Sequence, residues 1–256
     1  MNQTKKIYFA SDVHLGAAAL KHGRERELIF VKWLHEIKKD AAELYLLGDI
    51  FDFWFEYRTV APQGFVRVLG ALAEICDSGI PVHFFTGNHD IWVFDYLPRE
   101  TGMIIHREPL ETELFGKKFF LAHGDDLGKT DWKYQVLNRF FKNSFVQWSF
   151  AKFHPDLGIR LANYCSKNSR INQGIEGPGF LGEDKEHQLI YAKKRLKETH
   201  FDYFVMGHRH IALDFDLSES SKLIILGDWF KVCTFGVYDG QTFKLEKITN
   251  ESLMNK

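Results

Sequence analysis

Residues 7–14 read Ile-Tyr-Phe-Ala-Ser-Asp-Val-His, a run fit for a buried strand that passes directly into Asp12 and His14. The arrangement recurs four times along the chain. Leu44–Leu47 leads into Gly48-Asp49, with Asp52 beyond it, and Val82–Phe85 leads into Gly87-Asn88-His89-Asp90. A strand ending at Ala122 leads into His123-Gly124-Asp125, and Tyr203–Met206 leads into Gly207-His208-Arg209-His210. Taken singly, an Asp-x-His is more often a cap, a Gly-Asp more often a plain turn, and a histidine before glycine more often structural. Five such blocks, each at a strand exit, are instead the ligand set expected of a two-metal hydrolase acting on phosphate esters.

Between the blocks the apolar spacing changes period. Leu28, Val31, Leu34 and Ile37 predict an amphipathic helix over 24–39, and Val68, Leu72 and Ile75 predict another over 64–77. Phe115-Gly116-Lys117 signals a hairpin whose second strand ends at His123. Leu223–Leu226 reads as a strand, and the segment 235–248 as a hairpin turning at Asp239-Gly240. Helices alternating with strands early, then hairpins late, predict a layered α/β fold. The stretch 128–200 lacks strand patterning and is crowded with Phe140, Phe141, Phe145, Trp148, Phe150 and Phe153. Between 129 and 170 it carries eight Lys or Arg against Asp131 and Asp156, and it reads as a helical cap inserted into a core of residues 1–127 and 201–256.

The 256 residues are 45% hydrophobic and suffice for one sizeable core. A net charge of -1 gives no global field for nucleic acid, and none is expected as a partner. Cys76, Cys165 and Cys233 lie far apart, which argues against a disulfide framework and for a reducing compartment. The polar start predicts no secretory signal, and no run is long and apolar enough for a membrane span. A cytoplasmic protein is expected, free to touch a membrane surface.

Two divalent ions about 3.5–4 Å apart need a shared carboxylate flanked by imidazole and oxygen donors. Asp49 is the expected bridge. Asp12, His14, Asp49 and His210 are assigned to one ion, and Asp49, Asn88, His123 and His208 to the other. A turn beginning at Asp12 is expected to let Asp12 and His14 reach one ion. For His208 and His210 the bend is expected at Gly207. Mixed nitrogen and oxygen ligation suits Mn²⁺, the expected ion, with Fe²⁺ or Zn²⁺ as alternatives.

The blocks Asp12-Val-His14, Gly48-Asp49-Ile-Phe-Asp52, Gly87-Asn88-His89-Asp90, His123-Gly124-Asp125 and Gly207-His208-Arg209-His210 resemble the calcineurin-like metallophosphoesterases, over residues 8–230 apart from the insertion. That resemblance implies a two-sheet β sandwich flanked by helices and a metal-bridging hydroxide as nucleophile. Within the superfamily the chain is similar to the UDP-2,3-diacylglucosamine hydrolases of lipid A synthesis. The supporting residues are Ser11–Leu15, Gly48–Phe51 with Trp54, Asp131 and Tyr134-Gln135 after the His123 block, and Leu226–Trp229. Two positions depart from the best-known members, which carry Arg in place of His89 and Glu in place of Asp52.

The resemblance implies attack on the α-phosphate of a UDP-sugar, releasing UMP and an acylated sugar 1-phosphate. His89 is expected to donate to a leaving or nonbridging oxygen, oriented by Asp90, while Asp52 orients a loop or a ligand histidine. Arg139, Arg160, Lys167 and Arg170 are candidate partners of the diphosphate, and Asp131, Tyr134 and Ser166 are further candidate substrate contacts. The cap aromatics either line an acyl channel or form the cap's own core. Basic and aromatic character together suit docking on the cytoplasmic face of an inner membrane, where a lipid-linked substrate resides. Rival readings are a metallophosphoesterase for another nucleotide, phosphodiester or phosphomonoester, and a metal-free scaffold that keeps the fold.

Overall fold

A computed structural model describes residues 5–127, 132–173 and 179–248, without the side chains of 132–135, 167 and 169–173. Strands β1 (Lys6–Ala10), β2 (Ala41–Leu47), β3 (Val82–Phe85) and β4 (Ile104–His106) run parallel in the first sheet. Helices α1 (Gly23–Ile37), α2 (Val66–Asp77) and α3 (Tyr96–Thr101) interleave with them. The hairpin of β5 (Leu110–Leu114) and β6 (Lys117–Ala122) starts the second sheet. Cap helices α4 (Trp132–Lys142), α5 (Ser144–Phe150) and α6 (Pro155–Gln173) follow, then α7 (His187–Leu196). The second sheet is completed by β7 (Tyr203–Met206), β8 (Ala212–Ser218) and β9 (Ser221–Leu226). The closing pair, β10 (Thr234–Tyr238) and β11 (Phe243–Lys247), returns to the edge of the first. Strand orders are β11-β10-β1-β2-β3-β4 and β5-β6-β7-β9-β8.

The central strands are apolar on both faces because each sheet is covered on both sides. Phe9, Tyr45, Leu47 and Phe85 of the first sheet face Phe119, Leu121, Val205 and Ile224 of the second. Tyr8, Ala10, Leu46 and Phe84 point the other way, onto α1 and α2. Phe120, Phe204 and Ile225 do the same for α7, whose Leu189 and Ala192 are fully buried. The sandwich is therefore α/β/β/α, and α7, within the stretch 128–200, is packed on the second sheet.

The helix expected over 24–39 buries Phe30, Val31, Trp33, Leu34 and Ile37, while Leu28 stands 39% exposed. Strict threefold spacing drifts about 60° per step against a 3.6-residue turn, so Leu28 has rotated off the face that holds Leu34. The short edge strand β4 and the edge strand β8, whose residues alternate between half-buried and exposed, went unread in the sequence. Parallel pairing of β1–β2–β3 and of β6–β7–β9 brings five strand exits to one rim. That rim carries all five blocks.

Candidate metal centre

At this rim the backbone leaves β1, β2 and β7 through left-handed turns. Asp12 (φ 55°), His14 (φ 48°), Asp49 (φ 54°), His208 (φ 70°) and His210 (φ 53°) all occupy the region that ordinary L-residues avoid. Each such residue costs on the order of 1–3 kcal/mol, and such strain gathers at functional sites. With Asp12 and His14 both left-handed, the chain turns at Asp12 and brings Asp12 Oδ1 within 3.8 Å of His14 Nε2. For the last block the expected hinge is corrected. The bend lies at His208 and His210 themselves, and Gly207 is not left-handed. Its role is room, since a Cβ there would stand 2.6 Å from Asp12 Oδ2.

Two clusters form around Asp49. In one, His14 Nε2 faces His210 Nε2 at 3.1 Å, Asp49 Oδ2 at 3.7 Å and Asp12 Oδ1 at 3.8 Å. Asp12 Oδ1 is buried without a hydrogen bond, 3.2 Å from His210 Nε2. In the other, His123 Nε2 lies 3.5 Å from the same Asp49 Oδ2 and 3.3 Å from Asn88 Oδ1, which is 3.1 Å from His208 Nδ1. Asp49 Oδ1 is occupied by the His89 N–H at 2.8 Å, which leaves Oδ2 between the two histidines. Asp12, His14 and His210 offer donors within 4.8 Å of one another, as do Asp49, His123 and His208. His89 joins His14 and Asp49 in a third such group. Buried oxygen and imidazole donors facing one another, one oxygen an orphan, fit a pair of divalent cations.

The surroundings fix the orientation of these side chains. His123 Nδ1–H donates to the Leu47 carbonyl at 2.8 Å, so its Nε2 is the atom presented to the site. His14 Nδ1 lies 3.3 Å from Asp52 Oδ1, as expected for a carboxylate that orients a histidine. Burial works against charge on both Asp12 and Asp49, yet His210 holds the first below the ordinary carboxylate range and His123 the second well below it. Burial also opposes a charged His123, which Asp49 raises well above an ordinary histidine. Burial, then the charge of His123, lowers His208 to about 4. Carboxylates that resist protonation are suited to holding cations.

The expected pairing of His89 with Asp90 is not found. The Asp90 carboxylate accepts backbone N–H groups of Gly87 (2.7 Å), Ile50 (2.9 Å), Asp49 (3.3 Å) and Phe51 (3.3 Å). It ties two loops together, while His89 Nδ1–H donates to the Asp52 carbonyl at 2.9 Å. Of the expected substrate contacts, Ser166 donates to Asp52 Oδ2 at 2.8 Å, and Arg139 and Arg160 are exposed. Asp131 and the side chains of Tyr134, Lys167 and Arg170 lie outside the described residues. The cap aromatics divide. Phe150 packs on Phe53, Phe55 and Trp92, and Phe141 on Trp92, whereas Phe140, Phe145, Trp148 and Phe153 are more than half exposed.

Three further groups escaped sequence reasoning. Gln188 Nε2 donates to the carbonyls of Gly124 and Gly207, joining the loops of His123 and His208. Buried Glu186 grips Arg209, between the two site histidines, at 2.7 and 3.1 Å. Phe230 sets its ring edgewise against His14 and His210. Only Phe230 had a local signal, the strand exit Leu226-Gly-Asp-Trp-Phe230.

Residues 5–212 match the family model for calcineurin-like phosphoesterases. The chain belongs to that family. It is 37% identical to a UDP-2,3-diacylglucosamine hydrolase of Porphyromonas gingivalis, over 95% of this chain and 97% of that protein. A protein of the same description from Stenotrophomonas maltophilia is 27% identical, over 95% and 98%. Among solved structures, the E. coli phosphoesterase Yfce superposes with a TM-score of 0.45 at 15% identity, covering 94% of this chain and 92% of that one. The expected two-sheet architecture and hydrolase class stand.

Proposed function

We propose that this metallophosphoesterase cleaves the pyrophosphate bond of UDP-2,3-diacylglucosamine by attack on the α-phosphate, yielding UMP and 2,3-diacylglucosamine 1-phosphate. The observation that carries the reading is the placement of Asp49 Oδ2 between His14 and His123, in a chain aligned nearly end to end with a hydrolase of that description. Asp12, His14, Asp49 and His210 would hold one divalent ion, and Asp49, Asn88, His123 and His208 the other, with Mn²⁺ the expected metal. When bound, such a pair supplies a water of lowered pKa and positive charge against the phosphoryl oxygens.

The chain's own residues orient and protonate. With its Nδ1–H committed to the Asp52 carbonyl, His89 keeps Nε2 for the substrate, and as the imidazolium it donates Nε2–H to a phosphoryl or leaving oxygen. Asp90 acts on this step indirectly, by holding the loops of Asn88 and Asp49 in register. Asp131, Tyr134, Arg139, Arg160, Ser166, Lys167 and Arg170 are proposed to contact substrate.

The exposed face of the cap supports docking on an anionic membrane. Phe145 (70% exposed), Trp148, Phe153, Leu157 and Leu161 project with Lys152 and Arg160, and the Lys152 ammonium lies 5.1 Å from the Trp148 ring. Among the described residues no helix is long and apolar enough to cross a membrane. Peripheral attachment at the cytoplasmic face is the corresponding proposal.

The test is UMP release from UDP-2,3-diacylglucosamine with Mn²⁺, beside a generic aryl phosphodiester. Turnover of the diester alone would assign another phosphoesterase substrate, the reading His89 favours. A protein purified with no metal and unable to bind Mn²⁺ would instead be a scaffold.

A further inference from the structure

We propose that Asp52 is the joint through which the cap sets the metal-facing histidines, with Ser166 as the positioning residue on the cap side. The proposal rests on the metal-centre reading above. Asp52 is 4% exposed and belongs to the core, whereas Ser166 lies on α6 of the cap, 114 residues further along the chain. The two carboxylate oxygens serve different layers. Oδ2 accepts the Ser166 Oγ–H at 2.8 Å, and Oδ1 lies 3.3 Å from His14 Nδ1 and 3.6 Å from His89 Nδ1. The backbone of Asp52 is tied to the same two places. Its N–H donates to the Leu15 carbonyl at 2.9 Å, next to His14, and its carbonyl accepts the His89 Nδ1–H at 2.9 Å.

This geometry couples two events. The ring rotation and tautomer of His14 follow from what its Nδ1 meets, and that atom meets Asp52 Oδ1. If α6 withdraws, Oδ2 loses the Ser166 donor, one of the contacts that set the plane of this buried carboxylate. The carboxylate is then freer to turn about its Cβ–Cγ bond, and the grip on His14 Nδ1 loosens. The neighbouring contact moves with it, since Phe150 of α5 packs on Phe53 and Phe55, just beyond Asp52. Cap position and affinity at the His14 side are therefore linked. By reciprocity, metal binding favours the seated cap.

The experiment titrates metal-free protein with Mn²⁺ alone, comparing wild type, Ser166→Ala and Ser166→Thr, with limited proteolysis of the cap measured in parallel. Ser166→Ala is expected to weaken the His14-side Mn²⁺ affinity about tenfold, the low end for loss of a ligand-orienting group. Ser166→Thr, which keeps the hydroxyl, restores it. Mn²⁺ is expected to protect the cap from protease in wild type and in Ser166→Thr, and less in Ser166→Ala. Should Ser166→Ala fail to fold, Asp52→Asn takes its place, with the same weakening expected. Unchanged Mn²⁺ affinity in the serine or asparagine variant overturns the coupling while leaving the metal centre intact. Absence of Mn²⁺ binding in wild type overturns the metal-centre reading itself.

Discussion

Asp90 Oδ2 accepts the Ile50 N–H at 2.9 Å, so a carboxylate at the end of one loop carries the backbone of another forty residues away. Its other oxygen takes the Gly87 N–H at 2.7 Å. Burial, then the negative charge of Asp49, pushes the Asp90 carboxyl up to about 7. Removing this group leaves buried amides without an acceptor. Asp90→Ala should cost about 2–4 kcal/mol of stability and depress Mn²⁺ binding, read by denaturant melts and metal titration. An unchanged melting midpoint would contradict the clamp.

The shared oxygen of Asp49 makes a sharper demand. Asp49→Ala should bring metal content below one ion per chain and lower kcat/KM by a factor of about a thousand or more. Asn88→Ala, which touches one cluster, should leave one ion. Elemental analysis of the purified variants separates the two. Turnover surviving in Asp49→Ala would refute the shared ligand.

Gly207 is needed for space. A methyl group there meets Asp12 Oδ2 at 2.6 Å and Ser11 Cβ at 2.7 Å, so Asp12 must shift. Gly207→Ala should therefore fold yet bind Mn²⁺ more weakly at the Asp12–His14–His210 cluster. Circular dichroism and metal titration together check this, and wild-type affinity would rule it out.

On the first sheet, His83 Nδ1 and His106 Nε2 lie 2.9 Å apart, stacked on Tyr45 and Phe85 respectively. Burial, then the charge of His106, lowers His83 below the usual 6.5, and burial lowers His106. The folded chain keeps these rings neutral while the unfolded chain protonates them near ~6.5. Their stabilising contribution is thus full above ~6.5 and is lost as pH falls through the lower folded values. Thermal midpoints between pH 8 and pH 5 should drop less for a His83→Phe, His106→Phe double variant than for wild type. Parallel curves would show that the pair plays no part.

The exposed cap face yields a surface test. Phe145→Ser with Trp148→Ser should reduce co-sedimentation with anionic vesicles, and added salt should weaken whatever binding remains. Equal binding to neutral and anionic vesicles by wild type would argue against an electrostatic share.

The chain by itself picked out the residues proposed as metal ligands and their order. A strand is local, its exit is local, and the Asp, Asn and His at each exit are neighbours in sequence, as Asp12 and His14 are. It also determined the layered architecture, through runs such as Tyr203–Met206 that are apolar on both faces. Tertiary structure alone decided how those ligands aim. The left-handed turns at Asp12, His14, Asp49, His208 and His210 carry no local signal, because the packed loops around them impose the strain. Asp90 serving Ile50 rather than His89, Gln188 joining two loops, and Ser166 reaching Asp52 were equally unreadable. Each is a hydrogen bond between residues distant in sequence, and only the folded backbone brings its donor and acceptor within reach.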